Sequence, residues 1–313
     1  MPDIFIDLIQ YTVDGALKGM LYALVAMGFI VIYRAGRILN FAQGEVVVIG
    51  GFIIYTFVSL PFFPGLLNTL FGPVPHWLSI SLSLLVTALL VMLFGLLIER
   101  IVFRPMIGQP MFTLVMVTIG LMILLQGLVI AVWGGEDRPF PFLFAQEAVQ
   151  IGPFTFTRAI FLGGISSIAL FAALSWLFER TRWGLKLTAV AEDHSVAQSM
   201  GISVKRSIAI AWVIGCLLSA WAAVVFLNGQ TLTFAASTIG LTALPVALLA
   251  GLESIWGAPV AGLIVGIGES LAAAYLDEYT GGAMSEAFPY IVMMVILVVR
   301  PQGLFGWKII ERV

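Results

Sequence analysis

Charge is scarce in this sequence. Of its 313 residues only 10% are Asp, Glu, Lys or Arg, against roughly 25% in an ordinary soluble domain. So small a fraction excludes a large water-facing surface, and most side chains must face lipid or other parts of the protein. The charge that is present is balanced, with 15 basic and 17 acidic residues. No basic field for nucleic acid exists, and no run of like charge forms a tail. Cysteine is nearly absent: Cys216 stands alone inside an apolar run. That excludes an intrachain disulfide and a cysteine metal cluster, and Cys216 reads as a small buried hydrophobe. His76 and His194, the only histidines, are far apart with no ligand cluster joining them, which argues against a metal site. No Lys or Arg precedes Lys18, whereas Asp3, Asp7 and Asp14 do. A cleavable signal peptide needs a basic start, so the first apolar run reads as a retained span.

Catalytic patterns are missing too. There is no His-Glu-x-x-His, no Gly-x-Ser-x-Gly and no pair of Asp residues placed across two spans; Asp277-Glu278 lies within one loop. This argues against an intramembrane enzyme. Nor is there a Gly-x-x-x-x-Gly-Lys-[Ser/Thr] phosphate loop, so the chain carries no such ATP site of its own.

What is present is apolar sequence, 61% of the chain. A span needs about 20 apolar residues. Runs of that kind lie near 13–33, 43–60, 77–98, 111–133, 159–178, 207–227 and 287–299. The stretch 240–276 is too long for one span and is broken at Gly251-Leu252-Glu253-Ser254-Ile255-Trp256-Gly257-Ala258-Pro259. It predicts a short or re-entrant element followed by a full helix. The expected fold is all-α, a polytopic transmembrane bundle of eight or nine spans, forming one transmembrane domain over 1–313. Between the spans, 134–158 carries Gly134, Gly135, Pro139, Pro141 and Pro153 and predicts a cap or short hairpin. Neither it nor 179–206 is long enough to bury a core of its own. Small residues recur at Ala258, Gly262, Gly266 and Ser270, and again at Gly15 and Gly19. Such stripes let neighbouring helices approach closely.

Basic residues set the expected orientation. Arg34 and Arg37, Arg100 and Arg104, the 179–206 stretch and the tail with Arg300, Lys308 and Arg312 should be cytoplasmic. The uncharged 61–76 and 228–239 loops and the acidic 277–286 loop should be outside, as should the N-terminus.

Polar groups inside or beside the spans are the candidate functional residues. Asn40, Gln43 and Glu45 cluster at the head of the second span. They either line a pathway or cap a helix start, where an acidic group is favoured. Glu253 sits in the 251–257 break, and unwound backbone at membrane depth is tolerated only inside protein or along water. Glu269 lies deep in an apolar helix, where a structural hydrogen-bonding role competes with one in a substrate path. Thr118 and Gln126 are expected to bond neighbouring helices. Asp14 and Lys18 are four apart and can pair on one helix. Glu99, at a helix end, is expected to be solvated. In 179–206, the segment 187–201 reads as an amphipathic surface helix. Val190, Val196, Ala197 and Met200 form its apolar side, Glu192, Asp193, His194 and Gln198 are among its polar positions, and Gly201 stops it. It suits either a partner's groove or a connector lying on the membrane surface.

Ser195-Val196-Ala197-Gln198-Ser199-Met200-Gly201 resembles the Glu-Ala-Ala-x-x-x-Gly loop by which importer permeases of the ATP-binding-cassette type dock on their ATPases. Here Ser195 replaces the usual Glu and Val196 the first Ala, and no Leu-Pro follows. Further stretches resemble the LivH-type branched-chain amino acid permease family. They are Gly28–Ala35 with Leu39-Asn40-Phe41-Ala42-Gln43-Gly44-Glu45, Trp183–Lys186 with Ala189–Asp193, the glycine-rich 250–269, and the ending Val299-Arg300-Pro301-Gln302-Gly303-Leu304-Phe305-Gly306. The resemblance runs in order along nearly the whole chain. It implies a multi-pass subunit of a bacterial-type inner membrane, paired with a second homologous permease. Two cytoplasmic ATP-binding subunits would use ATP and Mg, and an external binding protein would deliver substrate. The chain itself would bind no cofactor. Coupling to the ATPases would fall on Glu192, Asp193, Ser195, Val196, Ala197, Met200 and Gly201. Relatives of this type are associated with branched-chain and other amino acids, urea and short amides. The alternative is a secondary transporter or channel for small polar solutes, which leaves the docking-like loop without a purpose.

Overall fold

The structure is a computed structural model that describes residues 2–59, 62–71, 75–144, 148–151, 154–192 and 194–306. It is a bundle of helices. In chain order they are α1 (Pro2–Gly36), α2 (Gln43–Val58), α3 (Phe62–Phe71), α4 (His76–Ile98), α5 (Met111–Trp133), α6 (Arg158–Arg180), α7 (Arg182–Glu192), α8 (His194–Ser199), α9 (Val204–Phe226), α10 (Thr238–Ala250), α11 (Gly257–Tyr275), α12 (Asp277–Thr280) and α13 (Ala283–Val299). Among the described residues, 6 helical segments are long and apolar enough to cross a membrane. Three shorter apolar helices accompany them, Gln43–Val58, Phe234–Ala250 and Ala283–Val299. The stretch 240–276 divides as its glycine-rich break predicts, into short α10 and full-length α11. The 134–158 connection contains the expected hairpin, β2 (Ala148–Ile151) antiparallel to β3 (Phe154–Thr157). A two-residue strand, β1 (Arg138–Pro139), pairs with β4 (Thr231–Leu232).

Burial sorts the long helices into a centre and a rim. The apolar window of the α1 span is 83% buried and that of α9 67%, while those of the spans built on α4, α5 and α6 are only 22%, 22% and 28% buried. Helices that are apolar all round but mostly uncovered are the ones suited to lipid. The short helices α2 and α10 pack inward against α1 and α9. Trp212 on α9 is fully buried and stacks on Phe103, with ring centroids 4.4 Å apart.

The tightest packing is between α1 and α11, and it uses both small-residue stripes at once. A Cβ on Gly15 would lie 2.6 Å from the Gly266 carbonyl oxygen and 2.7 Å from the Ser270 Cβ. Gly19 is pressed in the same way against Gly262. The helices touch backbone to backbone, which only glycine permits. A second contact of this kind joins Gly44 at the start of α2 to Gly240 at the start of α10.

One expectation fails at the end of α4. The helix continues into a π turn, Glu99–Phe103, and this turns Glu99 inward. Its carboxylate is fully buried and pairs with Arg104, Nε to Oε1 at 3.2 Å and Nη2 to Oε2 at 3.3 Å. Glu99 is therefore not a solvated helix end. A buried charge needs its partner, and the wider π turn places Arg104 within reach.

Replacing Gly19 or Gly266 by Leu should force α1 and α11 apart. Overpacking of this kind costs roughly 1–3 kcal/mol or more, read as a lowered thermal midpoint of the purified protein. Gly120→Leu, on a face with nothing within 4 Å, should leave the midpoint unchanged.

Candidate functional site

Between α1 and α2 the chain unwinds inside the protein. α1 stops at Gly36 and α2 begins at Gln43. The connection does not lie on the surface. Asn40 and Ala42 are fully buried, and the Leu39 carbonyl accepts a hydrogen bond from Thr118 on α5 at 3.2 Å. Thr118 thus bonds a neighbouring element as expected, whereas Gln126 stays exposed on α5. Backbone exposed in this way must be satisfied by protein, and Asn40 and Gln43 supply much of the satisfaction. The Asn40 side-chain oxygen accepts the Ala42 N–H at 3.2 Å. Its amide donates to Gln43 Oε1 at 2.9 Å, and Gln43 Nε2 donates to Ser219 Oγ on α9 at 2.7 Å. The Gln43 side chain lies in the space left by the missing Cβ of Gly28. Glu45 is two residues further along α2, about half a turn round. It is only 4% exposed, faces Ser237, and its Oε2 has no hydrogen-bond partner among the described residues. Of the predicted trio, Asn40 and Gln43 thus form one buried network with Ser219 of α9, and Glu45 is buried separately against the segment leading into α10.

Glu253 lies elsewhere, at the end of the bundle that carries α7. There it forms an ion pair with Arg37. Arg37 has φ +55, a left-handed conformation that costs a non-glycine residue about 1–2 kcal/mol. Its side chain is held from several directions at once. Besides Glu253, its Nε donates to the Ala191 carbonyl of α7 at 3.0 Å, and its guanidinium lies 5.8 Å from the Tyr33 ring centre. One turn back on α1, Arg34 donates to Thr188 of α7 at 2.8 Å and covers the Phe178 ring at 5.2 Å. Sequence reasoning used Arg34 and Arg37 only as markers of orientation. Their role as tethers was missed because a lone arginine after a span has the same pattern whether it is solvated or bonded.

The break between α10 and α11 is built against this tether. Gly251 N–H bonds the Leu248 carbonyl at 3.1 Å, and Ser254 Oγ accepts the Gly257 N–H at 3.1 Å, capping α11. The segment 300–306 folds back over the break, where the Leu304 N–H bonds the Leu249 carbonyl at 2.7 Å. Trp256 donates to Glu179 at the end of α6. The distant sequence stretches 34–37, 183–192, 250–257 and 299–306 thus converge at one end of the molecule.

The predicted 187–201 helix is helical on both sides of residue 193. α7 ends at Glu192 and α8 begins at His194; Asp193, with its candidate role, lies outside the described residues. The expected apolar side also splits. Val190 and Ala197 are buried, but Val196 and Met200 are exposed, at 56% and 74%. At about 100° per residue Val190 and Ala197 share one face, whereas Met200 lies about 80° and Val196 about 120° round from Val190. Glu192, Ser195 and Gln198 are exposed with them. Gly201 closes α8 as expected: its φ is +77, its N–H bonds the Gln198 carbonyl, and the Ile202 N–H bonds the Ala197 carbonyl, both at 2.9 Å. The result is a projecting pair of short helices, with Trp183, Leu185, Val196 and Met200 uncovered.

Midway along α1, Lys18 does not pair with Asp14 on its own helix. Its Nζ donates to Glu269 Oε1 on α11 at 2.7 Å, and Tyr22 Oη donates to the same oxygen at 3.1 Å. Among the described residues no group of three or more His, Cys, Asp or Glu is placed to hold a metal.

These features define a class: a multi-pass membrane protein with one unwound stretch inside the bundle, a second at one end, and the α7 helix tied to both. The family follows from comparison. A family model described as the permease component of the branched-chain amino acid transport system matches residues 11–297, and the chain belongs to that family. It is 29% identical over 320 residues to the Escherichia coli K12 protein named high-affinity branched-chain amino acid transport system permease protein LivH, covering 100% of both chains. Pseudomonas aeruginosa BraD, another high-affinity branched-chain amino acid permease by name, is also 29% identical, over 325 residues and 100% of both chains. The probable branched-chain permease LivH of Methanocaldococcus jannaschii is 26% identical over 93% of this chain and 91% of its own.

Arg37→Met should loosen α7. Losing a hydrogen bond from a charged donor costs about 1.5–3 kcal/mol, so amide hydrogen exchange across Arg182–Glu192 should quicken on the order of tenfold or more. Exchange in α5, which Arg37 does not bond, should not change.

Proposed function

We propose that this chain is the permease subunit of an ATP-binding-cassette importer and forms half of the translocation pathway for branched-chain or other amino acids. The observation that carries this reading is the attachment of the projecting α7–α8 pair to both unwound stretches through Arg34 and Arg37. A partner that moves α7 pulls directly on the α1–α2 turn and on the break before α11. ATP and Mg are used by two partner ATPases docked on α7 and α8, through Glu192, Ser195, Val196, Met200 and the neighbouring Asp193, with Ala197 and Gly201 holding the shape beneath. A second homologous permease supplies the other half of the pathway, and an external binding protein supplies the substrate. Asn40, Gln43 and Glu45 shape the pathway at mid-bundle, and Glu253 works in the coupling linkage. The protein lies in a bacterial-type inner membrane. The α7 end is cytoplasmic, as the clustering there of Arg34, Arg37, Arg180, Arg182, Lys186, Lys205 and Arg206 favours. The N-terminus is then outside and the C-terminus inside.

Gentle purification from the native membrane should bring down a homologous permease and ATP-binding subunits, identified by mass. A chain that comes alone and moves solute in ATP-free vesicles would instead be a secondary transporter. Gly201→Pro cannot hold φ +77 and loses an N–H donor. It should lower recovery of the ATPases several-fold while the bundle's thermal midpoint stays put. Glu45→Ala should lower uptake well below that of Glu136→Ala, a change at an 83% exposed side chain. Equal uptake at matched expression would remove Glu45 from the pathway.

A further inference from the structure

A cavity of about 390 Å³ lies where the α1–α2 turn, the connection between α4 and α5, and the start of α8 come together. Its volume falls in the range of about 300–1,000 Å³ in which small molecules are bound. The lining is two-sided. Arg37, Gln109 and His194 give it a polar edge, and Met106, Met111, Leu114 and Ile208 give it an apolar wall. Arg37 is bonded to α7 and His194 opens α8, so the cavity is at the α7 end of the bundle.

The apolar wall runs on into surface suited to lipid. Met111 is 55% exposed and the next residue, Phe112, 73%. Both belong to the first turn of α5, the helix whose apolar window is only 22% buried. The charge of the edge has one sign. Among the described residues no Asp or Glu lines the cavity. Glu253, the partner of Arg37, lines two other cavities that Arg37 also borders, but not this one. Lys205 and Arg206 are exposed on the first turn of α9, just before Ile208. A free anion has no use for the apolar wall, and a plain hydrocarbon has none for the guanidinium. An amphiphile with a negative head suits both.

We propose that this cavity binds the headgroup of an anionic phospholipid from the leaflet at the α7 end, with the acyl chains lying along the start of α5. Basic pockets between membrane helices take anionic headgroups in this way, because the surrounding cations add to the attraction. The headgroup phosphate accepts from Arg37, from the Gln109 amide and from a ring N–H of His194. The site goes beyond the transport reading and requires only that the chain lie in a membrane.

The test is native mass spectrometry of the full purified chain with phosphatidylglycerol or phosphatidylcholine carrying the same oleoyl chains. The first phosphatidylglycerol should bind at least fivefold more tightly than phosphatidylcholine; equal binding overturns the proposal. Gln109→Glu and His194→Glu should each weaken phosphatidylglycerol at least fivefold and leave phosphatidylcholine within twofold. Gln109 is exposed in a loop, so its variant keeps the fold, which an unchanged thermal midpoint checks. Gln198→Glu puts the same charge on an exposed position of α8 that does not line the cavity, and should bind both lipids as wild type does. If the first two variants hold phosphatidylglycerol as wild type does, the lipid sits elsewhere and the proposal fails. If Gln198→Glu weakens it equally, the preference is a general effect of surface charge and the proposal fails too. Inorganic phosphate that binds as tightly as phosphatidylglycerol, and is lost in the same variants, would assign the cavity to a free anion and overturn the lipid.

Discussion

The direct contact between the backbones of α1 and α11 is the constraint on which the rest of the arrangement depends. Gly15 and Gly19 on one helix, and Gly262, Gly266 and Ser270 on the other, remove the side chains that would hold the axes apart. Within a bilayer there is little hydrophobic gain from helix association, so close van der Waals packing carries much of it. The contact makes α1 the buried centre of the bundle. It places Glu269 within reach of Lys18 and Tyr22, and it brings the start of α11 to the same end as the turn that follows α1. Without it, neither ion pair between these regions has its geometry.

The polar chemistry follows from the need to satisfy unwound backbone away from water. The α1–α2 turn is answered by Asn40, Gln43, Thr118 and Ser219, with Gly28 vacating the space that Gln43 fills. The α10–α11 break is answered by Ser254 and by the returning segment at Leu304. Glu45 departs from this pattern, since one of its buried oxygens has no hydrogen-bond partner among the described residues. An unmet acceptor inside a bundle is costly. It marks the place where the polar interior has capacity beyond what the fold consumes.

Spans and breaks were legible in the sequence because both rest on local patterns. Apolar length located the helices, and the glycine-rich interruption at 251–257 located the division of α10 from α11. The two small-residue stripes were also readable, though not that they face each other; a stripe announces a close neighbour without naming it. The cluster at Asn40, Gln43 and Glu45 could be found because its members are close along the chain. Lys18–Glu269 and Arg37–Glu253 could not, since each joins residues more than 200 positions apart. The same limit explains Glu99, whose burial depends on a π turn that no apolar period signals. At 187–201 the expected apolar side joined residues that helix geometry separates: Val196 lies about 120° and Met200 about 80° round from Val190.

The placement of the two ion pairs has a mechanical consequence. Lys18–Glu269 joins α1 to α11 within their contact, beside the Gly15 and Gly19 approaches, and Arg37–Glu253 joins the turn after α1 to the break before α11 beyond it. A seam of packed backbone crossed by one ion pair and closed by another moves as a body, because packed interiors shift between discrete arrangements and do not deform smoothly. Arg37 is part of that fastening and is also the residue bonded to Ala191 on α7. A displacement of α7 therefore enters the seam through its own clasp. Under the importer reading, a partner's push at the α7 end is delivered as motion of the whole α1–α11 unit, and the cavities bordered by Lys18 and Glu269 change shape with it, though nothing touches them directly. A bundle with so few charges can spend two pairs on this purpose because the shape change needs a rigid lever more than it needs a tight binding site.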